Sequence, residues 1–330
     1  MPRLSVIVVN YNSGARLARC LKHLSRQTFK DFETLVVDNG SADDSIEQAK
    51  KIGVAVDYDL AGANLGFAAA NNRAVKGAHG EWVVFLNPDA YAEPDWLHEL
   101  VAATERHPSA DAFGSTQINA YDPSKIDGAG DVFHILGIAY RGHFGWPVEK
   151  LPPEGDCFSA CAAAAMYRKA IFEKLGGFDE RFFCYGEDVD LGFRLRLAGG
   201  RAVQVRNARV LHEGSGVTGR HSDFTVYHGH RNRIWTVSKN MPEPLRTGFA
   251  PLRAMVDFYL FFRLLSIGKG RSYLKAIRDG YGGAGQFRND RQSLRSSQIA
   301  PLLKAMTWSL LKVTRREADI RSAGNGAKLK

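Results

Sequence analysis

The segment WVVFLNPDA, Trp82 to Ala90, carries an unbroken apolar run straight into Asn87-Pro88-Asp89. A run of that length, preceded by Gly80 and halted by Pro88, describes a strand buried on both faces in a mostly parallel sheet. Asp89 then lies just past the strand's carboxyl end. In open α/β sheets ligands bind at that edge, so a carboxylate delivered there is placed to hold a metal ion against a phosphate. The plain alternative is a turn carboxylate leading into a helix that begins near Glu93-Pro94-Asp95.

Working outward, the same strand-and-helix alternation precedes this segment. Leu4 to Val9 is a β-branched run, followed by the loop Asn10-Tyr11-Asn12-Ser13-Gly14 and by Leu17, Cys20, Leu21 and Leu24 at helical spacing. Phe32 to Val37 is a second strand, and Ser41 with Asp44 has the form of a capping box opening a helix through Ile46 and Ala49. Val54 to Tyr58 reads as a short third strand and Phe67 to Lys76 as an Ala-rich helix. Strands alternating with helices in this way predict right-handed βαβ units whose ligand edge is lined by Asn10, Tyr11, Asp38 and Asp89. No GxGxxG follows the first strand and no P-loop is present. This disfavours nicotinamide dinucleotides, and phosphates would need side chains or a metal rather than a glycine cradle. Tyr11 at the edge could stack on a base, and Asp38 could accept hydrogen bonds from a base or ribose or serve only as a helix-start carboxylate.

Beyond Asp89, Trp96 to Val101 has helical spacing, and the glycine-rich stretch from Pro108 to Pro153 reads as a long irregular loop or lid. Tyr140 and Trp146 within it could form a sugar platform or pack the lid. Phe158 to Met166 suits a buried strand, and Lys169 to Leu175 a helix stopped by Gly176-Gly177. Glu187, Asp188 and Asp190 cluster after Gly186. Their position ahead of Leu191, Leu195 and Gly199 favours a helix with acids at its start over a strand. Crowding by Phe178, Phe182, Phe183 and Tyr185 implies partial burial, which raises a carboxylate pKa toward general-base function. Ala202 to Val210 reads as a strand delivering His212 before a glycine loop, a position suited to metal ligation.

The 330 residues carry a formal charge of +9, and beyond Pro244 the basic residues exceed the acidic by twelve. An anionic partner is expected for that tail. The start, Met1-Pro2-Arg3 before LSVIVV, has no signal-peptide form, no stretch has transmembrane length, and the four cysteines form no CxxC pair. The expected location is cytoplasmic, with the tail touching the inner face of the membrane or a partner.

The motifs VIVVNYN, LVVDNGSADDS, NLGFAAANN, FLNPDA, GGFDERFFCYGEDVDL and VLHEGSG, in this order, resemble the inverting glycosyltransferases of family 2, in particular the rhamnosyltransferase-like bacterial enzymes that build surface polysaccharides. The resemblance covers about Leu4 to Met241. It implies a GT-A fold, Rossmann-like, with a nucleotide-sugar across the strand edges. On that basis Tyr11 and Asp38 hold the base, Asn64 and Asn72 lie near base or ribose, and Asn10 and Asn87 complete the donor site. Asp89 is the last member of the family's Asp-X-Asp element and binds a divalent cation, Mg²⁺ or Mn²⁺, with His212 completing its shell. Asp188 is the general base, and Trp146, Glu187 and Arg231 are the acceptor-side candidates. Asn87 departs from the pattern by replacing the first Asp of the metal element.

The implied division is a catalytic domain over 1–244, a basic amphipathic helical extension over 245–320, and a disordered tail over 321–330. Leu252 to Leu265 and Leu302 to Val313 would lie on an anionic membrane, pack on the domain, or join a homodimer. Gly268 to Arg271 and Gly280 to Gly285 would be loops. The implied activity is transfer of a sugar, rhamnose from dTDP-rhamnose as the leading choice, to a glycan or lipid-linked glycan acceptor. A sugar-nucleotide pyrophosphorylase is the runner-up, but VNYNSGARL lacks its Gly-rich loop. A nucleic-acid binder is the third reading, and its base-reading motifs are missing.

Overall fold

The computed structural model describes residues 1–214, 219, 221–291 and 296–322. Strands β1 (Leu4–Asn10), β2 (Phe32–Asp38), β3 (Asp57–Leu60) and β4 (Trp82–Leu86) are parallel in the order β3-β2-β1-β4. Between them run helices α1 (Ala15–Leu24), α2 (Ser45–Lys50) and α3 (Phe67–Gly77). After β4 come β5 (Ala90–Ala92), α4 (Trp96–Arg106), β6 (Ala112–Asn119), β7 (Ile126–Gly128), β8 (Asp131–His134) and β9 (Ile138–Arg141). β10 (Gly155–Cys157), β11 (Ala164–Arg168), α5 (Lys169–Lys174), α6 (Glu187–Leu197) and β12 (Ala202–His212) complete the sheet and its covering helices. The sheet extends beyond β4 as β11, β6, β12 and β10. β11 is antiparallel to both its neighbours, β12 is parallel to β6, and β8 and β9 form a separate hairpin.

Alternation along the strands builds two cores. Val6 and Val8 face α1, α2 and α4 through Leu17, Leu21, Ile46 and Leu100. Ile7, Val9 and Phe85 face α3, α5 and α6 through Ala70, Phe172 and Leu191. The result is a three-layer α/β/α arrangement in which all the parallel strands end at one edge.

Several expectations are corrected. β3 lies at Asp57–Leu60 rather than Val54–Tyr58, so Asp57 and Asp59 point from an edge strand that tolerates polar side chains. Ser41 caps no helix: its hydroxyl accepts the Asn12 N–H at 3.0 Å and α2 begins four residues later. The stretch from Pro108 to Pro153 is no irregular lid, for it contains β6 inside the sheet. Its sequence AFGSTQIN lacks an apolar period, yet it is buried because its polar groups find partners. Ser115 accepts the Trp96 indole N–H at 2.8 Å and Thr116 donates to the Arg206 carbonyl at 3.0 Å.

The carboxyl-terminal helices are α7 (Asp223–Asn240), α8 (Glu243–Gly248), α9 (Ala250–Leu265), α10 (Gly270–Gly283), α11 (Ser296–Ala305) and α12 (Leu310–Arg315). Gly280 to Gly283 form helix, not loop, because α10 presses on α7: a Cβ at Gly280 would lie 2.7 Å from Ile234, and one at Gly283 3.1 Å from Trp235. An apolar cluster of Phe133, Phe158 and Phe193 with Val237, Leu302 and Met306 crosses residue 244, so α11 packs on the α/β part. The chain then returns across it. Thr307 donates its backbone N–H to Phe133, Arg315 and Arg316 offer carbonyls to Trp146 and His143, and Arg321 pairs with Asp156. Arg321 is therefore ordered by backbone pairing, whereas the expectation for 323–330 lies outside the described residues.

Candidate active site

Asn10 and Asp38 end neighbouring strands in register. The Asn10 amide donates to Asp38 at 2.9 Å, to Ser45 at 2.8 Å and to Ser41 at 3.0 Å, while its carbonyl accepts from Ser13. Asn10 thus fixes the Asp38 carboxylate. Tyr11, next in the chain, is 39% exposed, open to a flat ligand. Asn39, not singled out in the sequence, donates to the Asn64 carbonyl at 3.0 Å and accepts the Leu65 N–H at 2.8 Å, tying the loops after β2 and β3. Those loops touch at Gly40, where φ is +78° and a Cβ would lie 2.7 Å from the Ala63 backbone. Asn72 lies apart from this cradle. Its amide is taken by both backbone groups of Phe178, donating at 2.8 Å and accepting at 2.9 Å, which pins α3 to the segment before α6.

Asp89 follows β4 across Asn87-Pro88. Antiparallel pairing of β5 with β12 sets Ala90 opposite His212, and the Asp89 carbonyl accepts the Glu213 N–H at 3.0 Å. The register brings the Asp89 Oδ1 to 3.4 Å from His212 Nε2, both side chains being buried. His212 Nδ1 is 2.7 Å from Asp127, and Asp127 in turn forms an ion pair with Arg141. Burial alone would lower the His212 pKa; hydrogen bonding to Asp127 and the close approach of Asp89, with the charges of both, overcome it and hold the pKa at about 9. Asp127 and Arg141 were missed in the sequence, where Ile126-Asp127-Gly128 lies in the stretch read as irregular.

The buried His212 Nε2 has no hydrogen bond of good geometry, and its 3.4 Å spacing from Asp89 Oδ1 is near the roughly 3 Å that separates adjacent ligands of an octahedral divalent ion. Asp89 and His212 therefore fit a Mg²⁺- or Mn²⁺-sized cation, with loss of the imidazolium proton on binding. A recess of about 230 Å³ opens beside them, lined by Asn119, Tyr121, Asp127, Arg141, Phe144 and Glu213. Glu213 is held at 2.7 Å by Arg16 and at 2.6 Å by the Tyr91 hydroxyl. A larger recess of about 420 Å³ shares only Asn72 with the candidate residues, and its Lys239, Asp179 and Arg181 are already paired with one another or with neighbours.

The acids of Gly186-Glu187-Asp188-Val189-Asp190 open α6 as expected, with three different fates. Asp190 is wholly buried and holds α6 to α7 through Lys239 at 2.9 Å and Asn240 at 2.7 Å. Glu187 is buried with Oε2 unpartnered among the described residues, and burial with the neighbouring Asp188 charge pushes its pKa well up. Asp188 groups with Asp131 and Cys161, their ligand atoms within 4.8 Å of one another. Burial raises the pKa of all three. Asp188 accepts two backbone N–H groups, Ala162 at 3.1 Å and Val189 at 2.8 Å, where Asp131 has the Ser159 hydroxyl. Hydrogen bonds to the anion select Asp188 as the member that ionises. The mixed thiol and carboxylate set suits a hard cation poorly.

The two groups adjoin. Ala162, which binds Asp188, is followed by Ala163, whose carbonyl accepts the Asn87 N–H at 2.9 Å. Gln117 accepts from Arg141 at 3.3 Å and also meets the Cys161 thiol.

The loop before Asp188 is strained, with φ of +65° at Phe183, +71° at Tyr185 and +82° at Gly186. The buried Asn232 amide holds it, donating to the carbonyls of Phe182, Cys184 and Tyr185 at 2.6 to 2.9 Å. Arg231 lies behind this loop. It donates to the Phe182 carbonyl at 3.0 Å and stacks 4.0 Å from Trp235, so its guanidinium supports the loop. Trp146 stacks on His143 at 4.3 Å and donates to the Arg315 carbonyl, which commits it to the wall, and Phe144 rather than Trp146 lines the recess.

Residues 5–176 match the family described as glycosyl transferase family 2. The chain belongs to that family. A relative from Mycobacterium tuberculosis, an N-acetylglucosaminyl-diphospho-decaprenol L-rhamnosyltransferase, is 36% identical over 66% of this chain and 78% of its own length. An O-antigen biosynthesis protein, RfbC, of Myxococcus xanthus is 33% identical over 65% of this chain and 17% of its own. Among solved structures, GalNAc-T7 with UDP, GalNAc and Mn²⁺ superposes with a TM-score of 0.58 at 16% identity, over 72% of this chain and 48% of that one. The mannosyltransferase PcManGT of Pyrobaculum calidifontis, with GDP-Man and Mn²⁺, gives 0.55 at 18% identity, over 92% and 79%. The fold is that of the GT-A glycosyltransferases. The family is one of sugar transfer, which leaves the pyrophosphorylase reading without support.

Proposed function

We propose that this family 2 glycosyltransferase moves a sugar, rhamnose from dTDP-rhamnose as the leading choice, with inversion onto a lipid-linked glycan. The observation that carries the reading is the convergence of Asp89 with His212 at the strand edge next to the Asp188 group. Asp38 would accept from the base, with Tyr11 against its face and Asn10 and Asn64 shaping the loops. Asp89 and His212 would hold Mg²⁺ or Mn²⁺, which when bound offsets charge on the departing diphosphate. Asp188 would take the proton of the acceptor hydroxyl as its oxygen bonds to the anomeric carbon, the bond from that carbon to the diphosphate breaking on the opposite face. Asp131 and Glu187, kept neutral by burial, leave the negative charge on Asp188. The M. tuberculosis relative's named substrate supports a polyprenyl-diphosphate sugar as acceptor.

A thermal-shift screen of nucleoside diphosphate sugars with and without Mn²⁺ or Mg²⁺ tests donor and cation together, since a true donor stabilises by binding. Asp89→Ala should abolish the metal-linked part of the shift; an unchanged shift would mean diphosphate binding without metal. Asp188→Asn should keep the donor shift and lose transfer by about 10²-fold or more. Transfer at the wild-type rate would remove Asp188 as base.

A further inference from the structure

Helix α9 carries large apolar side chains on both sides. The inner side packs Leu264 with Val256, Leu260 and Phe261, and turns two polar side chains into the protein beside them. Arg253, 8% exposed, donates to the carbonyls of Leu245 and Arg246, and Asp257 receives Arg233 from α7 with the hydroxyls of Tyr273 and Tyr281 from α10. On its other side Met255, Phe258, Tyr259, Phe262 and Leu265 recur every three or four residues, each more than half exposed. The surface continues past Phe249, whose ring meets Trp308 edge-on at 5.9 Å, to the exposed Leu310 and Leu311. Leu264, Val256, Leu260 and Phe261 already supply the apolar burial that docks α9 on the domain, so the outer row is not needed for that packing. Contiguous apolar surface of this kind marks a binding face.

We infer that this face docks on an anionic lipid bilayer, with α9 lying in the interface. Charge decides between a bilayer and a second copy of the chain. Residues 245–283 carry seven Lys and Arg against two Asp, and both carboxylates are taken, Asp257 by Arg233 and Asp279 by Arg278 and Tyr227. Arg263, Arg271, Lys275 and Arg278 remain on the surface. Two such hairpins face to face would repel, whereas anionic headgroups attract each cation within a Debye length. Among the described residues no helix is long and apolar enough to cross a membrane, so α9 lies along the surface. α11 instead turns Leu302 into the protein. The docking rests on α9 itself; its use rests on the acceptor proposed above. α10 packs on α7, and α7 clamps the loop before Asp188 through Asn232, so a bilayer under α9 has a continuous path of packed elements to the base.

The test is co-sedimentation of the full chain with phosphatidylcholine vesicles, with and without phosphatidylglycerol. Binding is expected to the anionic vesicles and to weaken with salt. The double variant Phe258→Asp, Phe262→Asp changes only exposed side chains, so its circular dichroism and donor thermal shift should match wild type while vesicle binding falls at least about tenfold. Arg271→Glu with Lys275→Glu should weaken binding to anionic vesicles alone. Equal sedimentation of wild type and the Phe variant would overturn the inference. So would a wild-type dimer in sedimentation velocity that this variant dissociates, with no vesicle binding. Transfer to a water-soluble acceptor analogue is read separately: its failure with intact vesicle binding would count against the proposed reaction and leave the docking face standing.

Discussion

His212 governs the electrostatics of the strand edge, and its titration gives a stability signature. Its folded pKa of about 9 lies above the ordinary 6.5. The imidazolium's contribution is therefore complete below about pH 6.5 and is lost as pH rises through 9, amounting to about 3 kcal/mol at most. Urea unfolding in the presence of chelator should show this decline, and His212→Gln should remove it; parallel pH profiles for the two proteins would contradict the assignment. Asp127→Asn should move the decline to lower pH. At this scale the sequence was legible where a residue ends a strand. Asp38, Asp89 and His212 were readable because an apolar run fixes the place where it stops. Asp127 and Asp131 were not, since they lie on short strands with no run of their own, and their partners Arg141 and Ser159 are 14 and 28 residues away.

At the level of elements, α7 acts on the site from behind. Asn232 supplies one amide to three carbonyls of a loop in which Phe183 and Tyr185 hold left-handed backbone. Asn232→Ala removes a donor shared by those carbonyls and should cost about 2–4 kcal/mol, measured by urea unfolding. Because Asp188 follows that loop directly, kcat per folded molecule, measured below the variant's unfolding transition, should fall while donor affinity holds; an unchanged kcat per folded molecule would show that Asn232 supports the fold alone. The helix is not readable in TVYHGHRNRIWTVSKN, for its buried face includes Asn232, Lys239 and Asn240, which look like solvent residues until the loop carbonyls meet Asn232 and Asp179 and Asp190 meet the other two. β6 escaped notice for the same reason: Ser115, Thr116 and Gln117 are buried polar groups satisfied by distant partners. Tertiary pairing, not local pattern, makes both elements.

Across the whole molecule, the segment after α11 is the piece that closes the wall of the recess. Ile320 packs into the second core, and the Ile320 Cδ1 would lie 2.8 Å from a Cβ at Gly130. Trp146 and Tyr140 meanwhile donate to the carbonyls of Arg315 and Glu317. Ile320→Asp places a carboxylate in that apolar seat and should free the segment, so limited proteolysis is expected to cut between Arg315 and Arg321 in the variant and spare the wild type. Resistance equal to wild type would show that the hydrogen bonds suffice. The two-sided sheet was legible because its periods are local; this return was not, because RREADIRS has no apolar pattern and gains its place from a surface built 160 to 190 residues earlier. That distance sets an order of events on the ribosome. The four parallel strands all lie within the first ninety residues, yet the β8-β9 hairpin must wait, with Tyr140 and Trp146 lacking these partners, for residues that emerge about ten to forty seconds later at ordinary rates of synthesis. Throughout that interval the nascent chain carries an unfinished wall, with the polar tips of Tyr140 and Trp146 open to solvent.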